Sequence, residues 1–190
     1  MNFLVISDTH GHLEKVYDMY ERLNDMTPDG KKIDEIIHCG DFSRDAQSIG
    51  DYLGISVTFA EGNCDGCSSR NFKVKKTPYG NILITHGHME RVDYGTDILS
   101  YLAMENNCIA VCFGHTHVPL FKIESGILML NSGSLTYPRD NTDGSCAVLN
   151  LTDKGVDGGI FYYHHILGSC RKKKSQGGLL RSMINYSDRF

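Results

Sequence analysis

The chain has 190 residues, 41% of them hydrophobic and 22% charged, and a formal net charge of −4. That length suits one domain built on a single large core, and the composition is that of an ordinary globular protein. No apolar run approaches the roughly 20 residues needed to span a bilayer, and the acidic balance argues against a broad nucleic-acid-binding face.

In chain order, residues 3–7 read as a buried strand. Residues 12–25 follow with Leu13, Val16, Tyr17, Tyr20 and Leu23 at helical spacing. Thr27-Pro28-Asp29-Gly30 is a turn. A second strand spans 33–39, a short helix 46–53, and a third strand 56–60. These units wind as β-α-β-α-β with parallel strands. The pattern then changes. Residues 72–76 alternate, Pro78-Tyr79-Gly80 turns the chain, and 81–85 is a strand again, which together read as a hairpin. Residues 94–105 carry a helical pattern and 108–113 a strand. From 120 onward come successive strands at 120–123, 127–131, 147–151 and 159–166, with turns at Ser125-Gly126 and Lys154-Gly155. Winding followed by consecutive strands suggests two packed sheets flanked by helices.

No leader-like segment opens the chain, so a cytoplasmic location is expected. Cys39, Cys108, Cys112 and Cys146 lie inside apolar runs and read as buried reduced thiols. Cys64-Asp65-Gly66-Cys67 has C-x-x-C spacing, but a structural zinc needs about four ligands and no second pair is present. The pair is read as loop cysteines rather than a redox or zinc site. The last twenty residues hold six Lys or Arg and one Asp, +5, which leaves −9 for residues 1–170. The body is taken as residues 1–168 and the basic segment 169–190 as a solvated tail.

The chemistry is carried by histidines and acids placed after the apolar runs: Asp8-Thr9-His10, Gly40-Asp41, Gly62-Asn63, Thr85-His86-Gly87-His88 and Gly114-His115-Thr116-His117. Residues after several strands gather at one edge of a sheet, where α/β proteins build their sites. Carboxylate, amide and imidazole donors suit hard or borderline divalent metals. Seven candidates are too many for one catalytic zinc, which takes about three protein ligands, and suit two metals sharing a bridge. Gly40 lets backbone approach the site closely. His115 and His117 are two apart, and strand backbone would send them to opposite faces. They must lie in a loop.

The order D-x-H, G-D, G-N, H, G-H-x-H resembles the calcineurin-like metallophosphoesterases, and Gly62-Asn63-Cys64-Asp65 is similar to their small YfcE-type phosphodiesterase branch. The likeness covers residues 1 to about 165. It implies a four-layer α/β/β/α sandwich and phosphodiester hydrolysis by attack of a metal-bound hydroxide. It also implies two divalent ions, Mn²⁺ first, with Fe, Zn, Ni or Co as alternatives. One ion would take Asp8, His10, Asp41 and His117, the other Asp41, Asn63, His86 and His115, with Asp41 bridging. A neutral Asn63 limits negative charge where a phosphate must enter. Two metals about 3.5–4 Å apart activate water and bind phosphoryl oxygens.

Two departures stand out. Where many relatives read G-N-H-[DE], with the histidine a candidate acid for the leaving group, this chain has Cys64, a weak donor. His88 and His12 are then the candidate acids. Relatives often read N-P-G-S where this chain has Asn131-Ser132-Gly133-Ser134, so the turn loses the rigidity of proline. Arg139 is a candidate contact for a substrate phosphate, with a surface salt bridge as its alternative. The expected partner is a small phosphodiester rather than a membrane or a long duplex, and a homo-oligomer is open through the strands near 120–130. The competing function is a non-catalytic scaffold on the same fold, as in the eukaryotic retromer subunit. The complete ligand set favours the enzyme.

Overall fold

The computed structural model describes all residues except 27–29, 31, 67–71 and 175–190, and only the backbone of 169–174. The strands are β1 (Asn2–Ile6), β2 (Glu35–His38), β3 (Val57–Phe59), β4 (Phe72–Thr77), β5 (Gly80–Thr85), β6 (Cys108–Phe113), β7 (Leu120–Glu124), β8 (Ile127–Asn131), β9 (Ser145–Thr152) and β10 (Gly155–Tyr162). The helices are α1 (Glu14–Leu23), α2 (Ser43–Leu53), α3 (Asp97–Glu105) and α4 (Tyr163–Lys174). None is long and apolar enough to cross a membrane.

Two five-stranded mixed sheets form, ordered β10-β9-β1-β2-β3 and β4-β5-β6-β8-β7. β1, β2 and β3 pair in parallel, as do β5, β6 and β8. The alternation along β1 shows why the sheets stack. Phe3 and Val5 face a core shared with Ile82, Ile84, Ala110 and Cys112 of the second sheet. Leu4 and Ile6 face outward onto Val16, Met19 and Leu23 of α1 and Ile49 of α2. On the other side, Leu83, Val111 and Met129 meet Leu99, Leu102 and Ala103 of α3. Both faces of each sheet are therefore covered, which accounts for the near-continuous apolar runs. The architecture is the expected α/β/β/α sandwich.

Several boundaries differ from expectation. The last strand covers Gly155–Tyr162, not 159–166. β9 recruits Gly155 to Gly158 as partners despite their weak strand composition. Residues 163–166 instead begin α4, and Ile166 and Leu167 pack onto the outer face of the first sheet. α3 starts at Asp97 rather than at 94, because Gly95 adopts a φ of 144° that ends the preceding turn. α2 starts three residues earlier than expected, because Asp65 Oδ1 accepts the Ser43 backbone N–H at 2.6 Å. α4 carries the chain past residue 168 to Lys174. The rest of the basic segment and Cys67 of the C-x-x-C pair lie outside the described residues.

Candidate metal centre

The carboxyl ends of β1, β2, β3, β5 and β6 meet at one edge, and the loops that follow them are stitched across both sheets. The Asp8 backbone N–H donates to Gly40 O at 3.0 Å and Gly114 N–H to His86 O at 3.0 Å. The His115 backbone N–H donates to Asp8 Oδ2 at 3.1 Å. Ten non-glycine residues among those described hold positive φ, and Asp8, His10, Asp41, His115 and His117 are five of them. Left-handed backbone is costly for residues with a Cβ and persists where surrounding contacts impose it, commonly at functional sites. The 68° and 58° φ values of His115 and His117 take them out of strand geometry, as their spacing requires.

All seven expected ligands converge. His86 Nε2 lies 3.1 Å from Asn63 Oδ1, 3.4 Å from Asp41 Oδ1 and 3.9 Å from Asp8 Oδ1. His117 Nε2 lies 3.2 Å from Asp8 Oδ1, and His10 Nε2 3.8 Å from Asp41 Oδ2. The His115 ring stands 5.2 Å from that of His86, centroid to centroid. Asp8, His10 and His117 form one compact donor group, and Asp8, Asp41 and His86 another. His86, not His88, therefore faces the carboxylates. The His88 ring stands 5.4 Å from His86 and 6.1 Å from His115, with both nitrogens buried and without a hydrogen-bond partner among the described residues.

Glycines make this convergence sterically feasible. A Cβ on Gly40 would meet His86 Nδ1 at 2.8 Å, and one on Gly62 would meet Asp41 Oδ1 at 2.1 Å. Asp65 holds the Gly62 turn, accepting the Gly62 N–H at Oδ2 while its other oxygen caps α2.

The protonation states of Asp8 and His86 suit a cation. Burial pushes the Asp8 carboxyl up, but the His117 hydrogen bond and the nearby imidazoles outweigh it and hold the group below the ordinary carboxylate range. Burial pulls His86 down, against the opposing carboxylates, and favours the neutral ring that a metal needs. Burial also depresses His117, but the Asp8 hydrogen bond and charge raise it above normal overall. His10 Nε2 is buried without a hydrogen-bond partner among the described residues. Such atoms are costly unless something else satisfies them. The oxygen and nitrogen donors together fit a divalent ion.

A cleft of about 300 Å³ opens over these residues, lined by His10, Asp41, Asn63, Cys64, His115, His117, Tyr137 and Arg139. Arg139 is exposed, has no ion-pair partner among the described residues, and donates its backbone N–H to His117 O at 3.2 Å. Cys64 joins the donors, its sulfur grouped with His10 and Asp41. Burial, its Asp41 hydrogen bond and the neighbouring carboxylates push this thiol up to about 11. His12 is exposed and lies outside this lining, 3.4 Å from the Tyr137 hydroxyl.

Sequence reasoning missed the residues that hold the ligand loops. Gly40 N–H donates to His38 Nδ1 at 3.2 Å, so His38 Nε2–H donates to Thr9 Oγ1 at 2.9 Å. The Thr9 hydroxyl donates in turn to Asp45 Oδ2 at 2.6 Å, which also accepts Gly11 N–H. Asn131 Nδ2 donates to Gly114 O at 2.8 Å, and Ser134 Oγ to Asp8 O at 2.9 Å. The available signal was polar residues within or just before motifs in otherwise apolar runs.

The profile of the calcineurin-like phosphoesterase superfamily domain matches residues 1–154. A probable metallophosphoesterase of Bacillus subtilis is 31% identical over 154 residues, covering 80% of this chain and 85% of that one. A phosphodiesterase of Methanocaldococcus jannaschii is 28% identical, covering 70% and 83%. Among solved structures, a predicted phosphoesterase from Streptococcus pneumoniae superposes with a TM-score of 0.69 at 25% identity, over 85% of this chain and 89% of that one. Zinc-complexed Vps29 from Entamoeba histolytica gives 0.62 at 23% identity, covering 86% and 99%.

Proposed function

The chain belongs to the calcineurin-like phosphoesterase superfamily, and from that premise we propose that it hydrolyses small phosphodiesters using two divalent metal ions. The observation that carries the reading is the gathering of seven oxygen and nitrogen side chains, five of them lining one cleft, with Asp41 near both His10 and His86. Asp8, His10, Asp41 and His117 would hold one ion, and Asp41, Asn63, His86 and His115 the other. With the thiol of Cys64 protonated, the remaining donors suit Mn²⁺ first, then Fe, Zn, Ni or Co. When bound, such ions supply a nucleophile near neutral pH and positive charge for phosphoryl oxygens.

The chain's own residues do the rest. The left-handed loop residues fix the ligands before substrate arrives, so little reorganisation is left for the reaction. Asn63 contributes oxygen without charge, which eases entry of an anion. The Arg139 guanidinium, without an ion-pair partner among the described residues, stands at the cleft wall and offers a bidentate contact to a non-bridging phosphate oxygen pair. His88 stands beside His86 and His115 without occupying a ligand position, and is a candidate donor of the leaving-group proton.

The test is metal reconstitution with Mn²⁺, elemental analysis, and a screen of phosphomonoesters, cyclic nucleotides, dinucleotides and bis(p-nitrophenyl) phosphate. Two ions per chain and diester hydrolysis that chelation abolishes are expected, with Asp41→Ala inactive. An absence of bound metal under saturating Mn²⁺ refutes the reading. Bound metal with no hydrolysis of any ester would put the scaffold function in its place.

A further inference from the structure

We propose that Asp93 is a positioning residue of the metal centre, holding the His115 ring so that Nδ1 is the nitrogen it offers to an ion. The inference rests on the dinuclear reading above.

His115 Nε2 lies 3.1 Å from Asp93 Oδ2. A carboxylate oxygen accepts, so Nε2 carries the proton and the lone pair is left on Nδ1. The two other loop histidines are arranged the opposite way. His86 Nδ1 lies 2.9 Å from Cys39 O, and His117 Nδ1 lies 2.6 Å from Tyr137 O. In both rings Nδ1 is held by a backbone carbonyl and Nε2 is the nitrogen that faces the oxygen cluster. Relative to His86 and His117, His115 is turned end for end, and its outer nitrogen is held by a side chain. Its backbone is already fixed through the bond from its N–H to Asp8 Oδ2. Ring rotation is what remains for Asp93 to control.

The turn that delivers Asp93 is itself anchored. The Val92 N–H donates to Gly87 O at 3.2 Å, and Tyr94 N–H to Arg91 O at 2.9 Å. Val92 is buried in the cluster under α3, and Thr85 Oγ1 donates to Glu90 Oε2 at 3.1 Å. The Asp93 side chain is 52% exposed, so its replacement removes little packing. Partners that hold the outer nitrogen of a ligating histidine typically contribute about 10–100-fold to metal affinity. Solvent screening places Asp93 near the lower end, about tenfold.

Two readouts test this on the full chain. Long-range ¹H–¹⁵N correlation spectra of the metal-free protein should show His115 protonated on Nε2, and Asp93→Ala should lose that preference. Asp93→Asn keeps an accepting oxygen and should retain it. In Mn²⁺ titrations, Asp93→Ala should weaken one of two binding steps about tenfold, and Asp93→Asn should restore most of it. Loss in both variants alike would mean that Asp93 ligates directly, and the positioning role would be wrong. Nδ1-protonated His115 in the wild type also overturns the proposal, as does unchanged affinity in Asp93→Ala. A wild type that binds no Mn²⁺ defeats the dinuclear reading instead.

Discussion

Replacing Thr9 with valine keeps shape and removes one hydroxyl from the relay that ties the Asp8–His10 loop to α2. Two buried groups lose a partner. His38 is fully buried, and its Nε2–H donates to that hydroxyl. An orphaned buried donor costs about 1–3 kcal/mol. Asp45, 8% exposed, keeps the Gly11 N–H but loses its 2.6 Å bond. The combined cost is about 3 kcal/mol, a sizeable part of the stability of a typical domain. At roughly 2–4 °C per kcal/mol for a chain of this size, the melting temperature should fall by about 10 °C. Thr9→Ser keeps the hydroxyl and loses one methyl, about 1 kcal/mol. Thermal and urea unfolding followed by circular dichroism separate the two. Because Thr9 lies between two candidate ligands, Thr9→Val should also weaken Mn²⁺ binding while Thr9→Ser should not. Equal stability of the two variants would refute the relay.

Burial pulls the His38 imidazole down to about 4 from 6.5. The unfolded chain therefore binds a proton that the folded chain refuses, and stability is lost as pH falls from about 6.5 to about 4, by about 3 kcal/mol. His38→Gln should lose less than the wild type between pH 7 and 4.5 in urea midpoints, and an equal loss would remove the role of His38. Gly62→Ala places a Cβ 2.1 Å from Asp41 Oδ1, so Mn²⁺ affinity should collapse with the circular dichroism spectrum unchanged; wild-type affinity by calorimetry would contradict the packing argument. With Cys64 in place of a histidine, alkyl diesters should be cleaved about 10²–10⁴-fold more slowly than aryl ones, and Cys64→His should narrow that gap. If His88 already supplies the proton, Cys64→His changes little and His88→Ala slows alkyl substrates selectively. A plot of rate against leaving-group pKa decides between them, and a flat wild-type plot would reject the missing-acid idea.

The candidate ligands were legible as a group because the donors of such a site fall in a recognisable order. Oxygen and imidazole donors must follow strand ends, and glycine must stand where a ligand presses on backbone, as Gly40 does against His86. The sheets were legible for a related reason, since strands covered on both faces leave unbroken apolar runs such as 109–113. Legibility fails where two structures satisfy the same pattern. Residues 159–166 alternate well enough for a strand, yet the short turn at 153–154 starts the pairing earlier and leaves 163–166 to a helix that covers Leu4 and Val148.

The supporting shell was hidden for a different reason. His38 ends an apolar strand and Asp45 lies in an amphipathic helix, and nothing in their spacing to Thr9 marks three side chains as one hydrogen-bonded unit. Their partnership depends on two left-handed turns, at 8–10 and 41–42, that bring the two loops together. Asp93 illustrates the same limit. It sits five residues after His88 in a surface turn, and only the buried Val92 beside it and the fold of the Gly87 turn aim it at His115. First-contact ligands are therefore constrained by metal chemistry and readable in one dimension. The groups that orient them are constrained only by the three-dimensional path of the loops. Substitutions at Thr9, His38 and Asp93 test that part of the centre which no motif describes.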